Sequence, residues 1–224
     1  MKQTFFITGT DTGVGKTLLT ALLTRFLRER GVTAAALKPI CSGGRGDVRA
    51  LHAAMNGALT LDEINPRHFR APIAPLLAAR LESKRVKPAS VLAHIRAMQK
   101  RFDVLLVEGA GGLLSPLGGN FNSRDLITTL RATPIIVCQN RLGAVNQVLL
   151  TFKALPKNLR KKTRVVLMSP SKPDASAKTN TKLLGQILNS TEIFSLPWLD
   201  NNIFPGKVFK NAKVKRMLQK LAQA

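Results

Sequence analysis

The sequence has no tyrosine, a single tryptophan and only two cysteines among its 224 residues. Cys41 and Cys138 are isolated and lack the spacing of metal ligands, so we interpret them as reduced, semi-buried thiols. The scarcity of aromatic side chains excludes a platform on which nucleic-acid bases could stack, and no zinc or RNA-recognition signature is present.

Long apolar runs are also missing. No run reaches the roughly 18 residues of a membrane-spanning helix, and the opening residues reach Gly9 and Asp11 too soon for a signal peptide. No Pro/Gly/Ser-rich linker interrupts the chain. We therefore expect a cytoplasmic protein without membrane contact, folded as a single domain over residues 1–224.

Acidic residues are scarce, since 12 Asp and Glu stand against 35 Lys and Arg and give a formal net charge of +23. Such a charge raises the hypothesis of a nucleic-acid-binding surface. The basic residues occur along the whole chain, with local density at 157–164 and in the acid-free tail from Lys207 that includes Lys210. Because no nucleic-acid motif accompanies them, a solvated basic surface is the favoured interpretation, and a nucleic-acid surface is the alternative.

Apolar runs typical of buried strands alternate with segments of helical periodicity. The runs cover residues 3–8, 33–37, 102–107, 134–138 and 164–168. Apolar stripes at helical spacing lie between them, beginning at Leu18, Val48 and Val91. This alternation predicts a three-layer α/β fold, in which helices flank a mostly parallel central sheet. Polar residues at the carboxyl ends of the strands are expected to converge on a ligand.

The segment 9–17 lies between the first predicted strand and a predicted helix over 18–30. The backbone N–H groups of such a glycine-rich turn point at anionic oxygens, Lys16 adds a cation, and the Thr17 hydroxyl can complete a magnesium shell. The segment therefore predicts a site for a nucleoside triphosphate, on a P-loop NTPase-like fold that forms the single domain over residues 1–224. The usual pattern has four residues between its glycines; here Thr10 occupies the place of the first glycine and Gly9 lies one residue earlier.

Polar residues also follow the second and third predicted strands. Lys38 and Ser42 follow the second, where a lysine can hold another anionic group, and Asp47 begins the next helix. A surface cation and a helix N-cap are the alternatives for Lys38 and Asp47. Glu108 ends the third strand, where a buried acid is unfavourable unless it meets a cation. It is a candidate magnesium ligand, and a structural ion pair with an arginine is its alternative.

The segment 139–147 follows the fourth predicted strand and opens a predicted helix over 148–155. The free amides at that helix start could bind a carboxylate. A plain helix cap is the competing interpretation.

In order and spacing, these segments resemble the dethiobiotin synthetases, the ATP-dependent carboxylase-cyclases of biotin synthesis. The matching pieces are GTDTGVGKT at 9–17, KPICSG at 38–43, VEGAGG at 107–112, LGAVN at 142–146 and PWL at 197–199. The displaced first glycine is also a feature of that family. The resemblance implies a cyclo-ligase that forms a carbamate from 7,8-diaminononanoate and CO2, phosphorylates it with ATP and closes a cyclic urea.

The resemblance also implies a role for each matching residue. Lys16 would neutralise the transferring phosphate, and Lys38 would lie against the carbamate and the γ-phosphate. The nucleotide would be bound by Thr12, Gly13, Val14, Gly15, Lys16, Thr17, Glu108 and Gly111, and Mg2+ would be held by Thr17, Asp47 and Glu108. The substrate would contact Thr12, Lys38, Ser42, Gly111 and Gly112, together with Leu142, Gly143 and Asn146 of a neighbouring subunit. The three contacts from a neighbouring subunit imply a homodimer with shared active sites.

The sequence departs from the family pattern in three places. Only four residues separate Ser42 from Asp47, which is short. The segment 167–172 lacks the Asn-Asp pair with which many members read adenine, and this loss predicts weaker base discrimination. Gln147 replaces a frequent histidine.

Two other functions compete with the cyclo-ligase. A partition-type or nucleic-acid-associated ATPase would usually carry a signature lysine early in the phosphate loop, where this chain has Thr10 and Asp11. A non-catalytic regulatory nucleotide-binding domain would have no need of Lys16, Lys38 and Glu108 together.

Overall fold

The computed structural model describes residues 2–189, 191–199, 209 and 211–223. The strands are β1 (Gln3–Gly9), β2 (Ala34–Leu37), β3 (Ile40–Ser42), β4 (Arg67–Phe69), β5 (Val104–Gly112), β6 (Thr133–Gln139), β7 (Arg164–Met168) and β8 (Glu192–Leu196). The helices are α1 (Lys16–Arg28), α2 (Gly46–Ala54), α3 (Leu61–Ile64), α4 (Pro75–Leu81), α5 (Pro88–Arg101), α6 (Ser123–Leu130), α7 (Ala144–Ala154), α8 (Lys157–Arg160), α9 (Asn180–Leu188) and α10 (Ala212–Ala222). Lys207 and Lys210 of the basic tail lie outside the described residues.

The central sheet has six parallel strands in the order β2-β5-β1-β6-β7-β8. Strand β1 lies inside the sheet, and its Phe5, Phe6 and Ile7 are all buried. Successive residues are buried because helices cover both faces of the sheet, so the strands read as continuous apolar runs. The expected α/β class with a mostly parallel sheet is confirmed.

Three strands were not expected from the sequence. Strands β3 and β4 form a separate two-stranded parallel sheet beside the main one. Each has only three residues, too few to leave a periodic signal. Strand β8 extends the edge of the main sheet and is mostly not buried, so it lacks the apolar run of an internal strand.

Two helices begin earlier than predicted. Helix α1 begins at Lys16 rather than Leu18, and α7 begins at Ala144 rather than Val148. In both helices a glycine in the left-handed conformation, Gly15 or Gly143, is the N-cap residue. Their first backbone amides therefore lie at the carboxyl edge of the sheet.

Strand β5 is longer than predicted and continues to Gly112. Its pairing with β1 runs from Gln3 opposite Val104 to Ile7 opposite Glu108, and resumes with Gly9 opposite Gly112. Glu108 is thus held inside a parallel ladder rather than on a loop. Among the described residues, no helix has the length and apolar composition needed to cross a membrane.

Candidate active site

The phosphate loop connects β1 to α1 at the carboxyl edge of the sheet. The Lys16 side chain is buried and its Nζ donates a 2.8 Å hydrogen bond to the carbonyl oxygen of Asp11, so it lies across the loop. Val14 is buried beneath the loop, whereas Thr12 and Gly13 are exposed. The loop therefore presents its backbone and one ammonium group to a ligand, as its sequence predicts.

The loop geometry explains the displaced glycine. A Cβ atom added at Gly9 would lie 2.8 Å from the carbonyl oxygen of Asp11 and 2.8 Å from Cγ2 of Val14. Thr10 has no such conflict, and its N–H donates to the carbonyl oxygen of Val137 on β6. The close approach of the loop to the end of β1 thus requires a glycine at position 9, while position 10 accepts a side chain.

The phosphate loop faces a cluster of ionic side chains from three other elements. Nζ of Lys38, which follows β2, donates to Oε1 of Glu108 on β5 at 2.7 Å and also to Oδ2 of Asp47 on α2. Oε1 of Glu108 accepts a second bond, 2.7 Å long, from the Thr17 hydroxyl of α1. The side chains of Lys38 and Glu108 are buried, and that of Asp47 is half-exposed.

These contacts decide between the alternatives left by the sequence. Lys38 is not a surface cation, and Asp47 does not cap α2, whose N-cap residue is Arg45 and has no capping side-chain bond. The buried partner of Glu108 is a lysine rather than an arginine. All three side chains meet at one point opposite the phosphate loop.

Burial and charge shift the two lysine pKa values in opposite directions. Burial lowers the pKa of Lys16 to about 8, with Lys38 adding to the shift and the Glu108 carboxylate opposing it. Burial also acts to lower the pKa of Lys38, but the carboxylates of Glu108 and Asp47 outweigh it and raise that pKa. Lys38 therefore stays protonated at physiological pH, whereas the lowered pKa of Lys16 lies close to it.

A buried asparagine that was not predicted positions Lys38. Nδ2 of Asn65 donates a 2.8 Å hydrogen bond to the Lys38 carbonyl oxygen, and the Lys38 N–H donates to the carbonyl oxygen of Ile64. Asn65 precedes Pro66, and that Asn-Pro pair indicates a turn without indicating what the turn supports.

Two adjoining cavities open on the ionic cluster. The phosphate chamber, about 240 Å³, is lined by Thr12, Gly13, Gly15, Lys16, Thr17, Leu18, Lys38, Asp47, Glu108 and Gly111. The acceptor chamber, about 440 Å³, is lined by Thr12, Lys38, Cys41, Ser42, Asp47, Pro72, Ile73, Ala74, Pro75, Ala110, Gly111, Ser115 and Pro116. They share Thr12, Lys38, Asp47 and Gly111. A group bound in one chamber therefore lies next to a group bound in the other.

The cluster also has the composition of a magnesium site. Oε2 of Glu108 is buried without a hydrogen-bond partner among the described residues, so the carboxylate has a free acceptor directed into the protein. No group of three or more His, Cys, Asp or Glu side chains suited to a metal occurs in the described ranges. A hydroxyl and two carboxylates nevertheless fit Mg2+, which takes few protein ligands and completes its shell with phosphates and water.

The predicted substrate-binding residues differ in whether their polar groups face the acceptor chamber or bond to another residue. Ser42 and Gly111 line the acceptor chamber. The Gly112 N–H donates to Oγ of Ser115 at 2.9 Å. Ser115, which was not predicted, itself lines the acceptor chamber.

The predicted carboxylate-binding segment lies elsewhere. Leu142, Gly143 and Asn146 are at the start of α7, after β6, and line neither chamber of the same chain. Leu142 is 78 % exposed, and its N–H donates to Oδ2 of Asp174 at 2.8 Å. Within one chain, this segment does not contact the ionic cluster.

A network of neutral side chains follows β6 and β7. Nδ2 of Asn180 donates to Oδ1 of Asn140 at 3.0 Å, and Nδ2 of Asn140 donates to the carbonyl oxygen of Ala177 at 3.1 Å. Among the described residues, the Ser169 hydroxyl makes only long contacts, 3.4 Å to Asn140 Nδ2 and 3.4 Å to the Ser195 hydroxyl. We call Asn140, Ser169, Asn180 and Ser195 the neutral network.

Known proteins match most of the chain. A family model described as an AAA domain matches residues 3–202. The protein named ATP-dependent dethiobiotin synthetase BioD of Akkermansia muciniphila is 40 % identical over 153 residues, which are 68 % of this chain and 72 % of that protein. The protein of the same name from Bacillus velezensis is 34 % identical over 206 residues, covering 89 % of this chain and 88 % of that protein.

A solved structure matches at the level of the fold. The signal recognition particle receptor FtsY of Elizabethkingia anophelis superposes with a TM-score of 0.55 at 14 % sequence identity. The match covers 97 % of this chain, which spans 65 % of the receptor chain. At that identity the likeness establishes a common α/β architecture and nothing about activity.

Proposed function

Because the chain belongs to the family of ATP-dependent dethiobiotin synthetases, which are cyclo-ligases, we propose that it carboxylates 7,8-diaminononanoate with CO2 and closes the cyclic urea in biotin synthesis. The observation that carries this proposal is the buried Lys38 between two adjoining chambers, paired with Glu108 and Asp47. A single fixed cation can serve both a triphosphate in one chamber and a carbamate in the other.

The reaction has three steps. An amine of the diamine attacks CO2 and loses a proton, which gives a carbamate. A carbamate oxygen displaces ADP from the γ-phosphorus, which gives a carbamoyl-phosphate mixed anhydride. The second amine attacks the carbamoyl carbon, phosphate leaves with the electron pair of its C–O bond, and the ring closes as the amine loses its proton.

In this reaction the protein acts mainly by placing charge. Lys16 neutralises the transferring phosphate, and Lys38 stabilises negative charge on the carbamate and the γ-phosphate. Thr12 and Ser42 orient the carbamate, since both line the acceptor chamber and Thr12 also lines the phosphate chamber. The electrostatic contribution is large because the cluster is buried and its groups are already oriented.

Thr17, Asp47 and Glu108 would hold Mg2+. Mg2+ held by these residues would supply positive charge that offsets the negative charge developing during phosphoryl transfer. The free Oε2 of Glu108 supports this assignment. Lys38 contacts both carboxylates, so it keeps their charge compensated when nucleotide and metal are absent.

A second copy of the chain would complete the acceptor site. Leu142, Gly143 and Asn146 line neither chamber of their own chain, yet the start of α7 is exposed and suited to a carboxylate. Large apolar side chains are also exposed near the acceptor chamber and on α7, at Ile73, Leu114 and Leu150. We place the substrate carboxylate at this segment of a neighbouring subunit. This placement requires a homodimer, and sedimentation analysis tests whether the chain forms one.

The proposed reaction is tested with purified protein, the diamine, labelled bicarbonate, Mg2+ and ATP. We expect an acid-stable cyclic urea and one phosphate released per ring closed. A folded protein that binds nucleotide but forms no labelled urea would overturn the proposal. A partition-type ATPase would instead hydrolyse ATP without the diamine and respond to DNA.

A further inference from the structure

A second basic cavity lies outside the candidate active site. It is a groove of about 570 Å³ lined by Leu76, Ala79, Arg80, Lys84, Arg85, Val86, Lys87, Pro88, Gly118, Gly119, Asn120 and Phe121. We call it the basic groove. Ala79, Val86 and Phe121 are buried and provide an apolar floor, whereas the four cationic side chains are exposed. Its size, and the combination of an apolar floor with charged groups at its edge, are typical of small-ligand sites.

The positive charge of the groove is largely uncompensated. Some surface cations have acidic partners, such as Arg45 with Asp62 and Arg101 with Glu63. Of the groove cations, Lys84 pairs with Glu82. Within the described ranges, Arg80, Arg85 and Lys87 form no salt bridge to a carboxylate. Like charges held around one concavity repel each other, and an anion bound there would relieve that repulsion.

The start of α5 adds to this positive potential. Lys87 and Pro88, the N-cap and first residue of this 14-residue helix, both line the groove. The helix has no side-chain cap and no acidic residue in its first turn, so the positive end of its dipole is not neutralised locally. The helix dipole and the cationic side chains therefore both make the electrostatic potential in the groove more positive.

The opposite wall is a tightly packed turn. The Leu117 N–H donates to the carbonyl oxygen of Phe121 at 3.1 Å, and Gly118 forms an isolated antiparallel bridge with Phe121. A Cβ atom at Gly118 would lie 2.7 Å from the carbonyl oxygen of Val86. The turn thus approaches the backbone of the facing segment closely, and the groove has a fixed width at this point.

We propose that the basic groove binds a small anion that joins a phosphate or diphosphate group to an apolar body. Arg80 and Arg85 match the bidentate geometry of phosphate oxygens, and Lys87 with the α5 N-terminus adds a further cationic contact. The apolar body lies on the floor formed by Ala79, Val86 and Phe121. A concave site of this volume favours a small molecule over a nucleic-acid strand.

Calorimetric titration of the full chain with inorganic pyrophosphate tests the proposal. The titration uses a Lys16→Ala variant, because this substitution weakens pyrophosphate binding to the phosphate loop, which would otherwise compete with the basic groove. At about 0.15 M salt, where surface charges are screened beyond roughly 8 Å, we expect one pyrophosphate per chain. Arg80→Gln with Arg85→Gln should weaken binding at least about tenfold. Isopentenyl diphosphate should bind about threefold more tightly than pyrophosphate because of the apolar floor.

A matched control removes the same charge from another basic cavity. Arg96 and Lys100 lie on the same helix α5 and line a cavity of about 490 Å³ with Lys2 and Phe102. At a rise of 1.5 Å per residue, they are about 12 and 18 Å along α5 from Pro88. Arg96→Gln with Lys100→Gln should change the pyrophosphate affinity by less than about twofold.

Three results would overturn the proposal. They are the absence of pyrophosphate binding, equal weakening by the two double variants, and a single-stranded oligonucleotide that binds more tightly than isopentenyl diphosphate. The last two would indicate a diffuse basic surface. Circular dichroism verifies the fold of each variant, and Lys87→Gln is a milder variant, expected to weaken binding about threefold. None of these measurements depends on the cyclo-ligase reaction.

Discussion

The two halves of the sheet's carboxyl edge are built from different kinds of interaction. Around β1, β2 and β5, buried charges meet in the cluster of Lys38, Glu108 and Asp47. Beyond β6 and β7, the buried amides of Asn140 and Asn180 form the neutral network with two less buried hydroxyls. The first half has a buried carboxylate oxygen without a hydrogen-bond partner among the described residues, whereas the second satisfies its amides internally.

This difference separates two tasks in the proposed reaction. A buried ionic cluster is costly to fold but stabilises charge that develops during phosphoryl transfer. A network of neutral hydrogen bonds costs less to bury and places no charge beside the ligand. Variants of the two halves should therefore affect different quantities, and the following predictions run from the largest expected effect to the smallest.

Lys38→Ala should lower turnover by about two to three orders of magnitude, since it removes a preorganised cation from both chambers. The measurement is the steady-state rate of cyclic-urea formation at saturating ATP. Arg49→Ala is the control because Arg49 is an exposed cation on α2, outside both chambers. Near-normal turnover of Lys38→Ala would mean that the catalytic cation has been misplaced.

Glu108→Gln should lower the free energy of unfolding by about 2–4 kcal/mol, because it leaves the buried Lys38 with only half-exposed Asp47 as an acidic partner. Asn180→Ala in the neutral network should cost about 1–2 kcal/mol, the loss expected for buried hydrogen bonds between neutral groups. Urea unfolding measures both. Equal losses would remove the energetic distinction between the two halves.

Nucleotide affinity should fall about tenfold between pH 7 and pH 9. The free Lys16 has a pKa of about 8, and a bound triphosphate raises that pKa, so binding takes up a proton near and above pH 8. Below pH 8 the free Lys16 is already mostly protonated, so nucleotide binding needs little proton uptake. Above pH 8 Lys16 is mostly neutral and must take up a proton when the nucleotide binds, which weakens the affinity. Calorimetry in buffers of different ionisation enthalpy detects the uptake, which Lys16→Met should abolish. A pH-independent affinity in the unaltered protein would contradict the assignment.

ATP, GTP and CTP should support turnover within about tenfold of one another. Strong discrimination requires a buried group that is left unpaired by the wrong base. Here Ser169 occupies the region of the family's Asn-Asp pair, and its hydroxyl contacts within the described part of the chain are 3.4 Å long. Ser169→Asn should raise the preference for ATP, by about threefold to tenfold. A strong ATP preference in the unaltered chain would show that other groups read the base.

Much of the fold could be predicted because its internal strands are apolar on both faces. The runs at 3–8, 134–138 and 164–168 match β1, β6 and β7 to within one residue at each end. Strands β3 and β4 could not be recognised, since each is a three-residue segment held by the other. The extension of β5 to Gly112 depends on pairing with β1, which the glycine-rich sequence does not indicate.

The residues of the phosphate loop were also predictable, because they form a local sequence motif. A glycine-rich turn followed by Lys16 and Thr17 predicts a phosphate site wherever a strand and a helix flank it. Asn65 and Ser115 were missed because each acts through side-chain hydrogen bonds to the backbone of other residues. Such a bond leaves no pattern in the sequence.

By itself, the sequence determined the class of fold, the phosphate loop and the family, because apolar periodicity and short ordered motifs are local properties of the chain. Only the tertiary structure decided that Lys38 joins Glu108 and Asp47, since Lys38 and Glu108 are 70 residues apart and meet through the pairing of β2 with β5. It also decided which cations gather around the basic groove. Charge composition fixes how many cations the chain carries, but folding determines which of them find acidic partners.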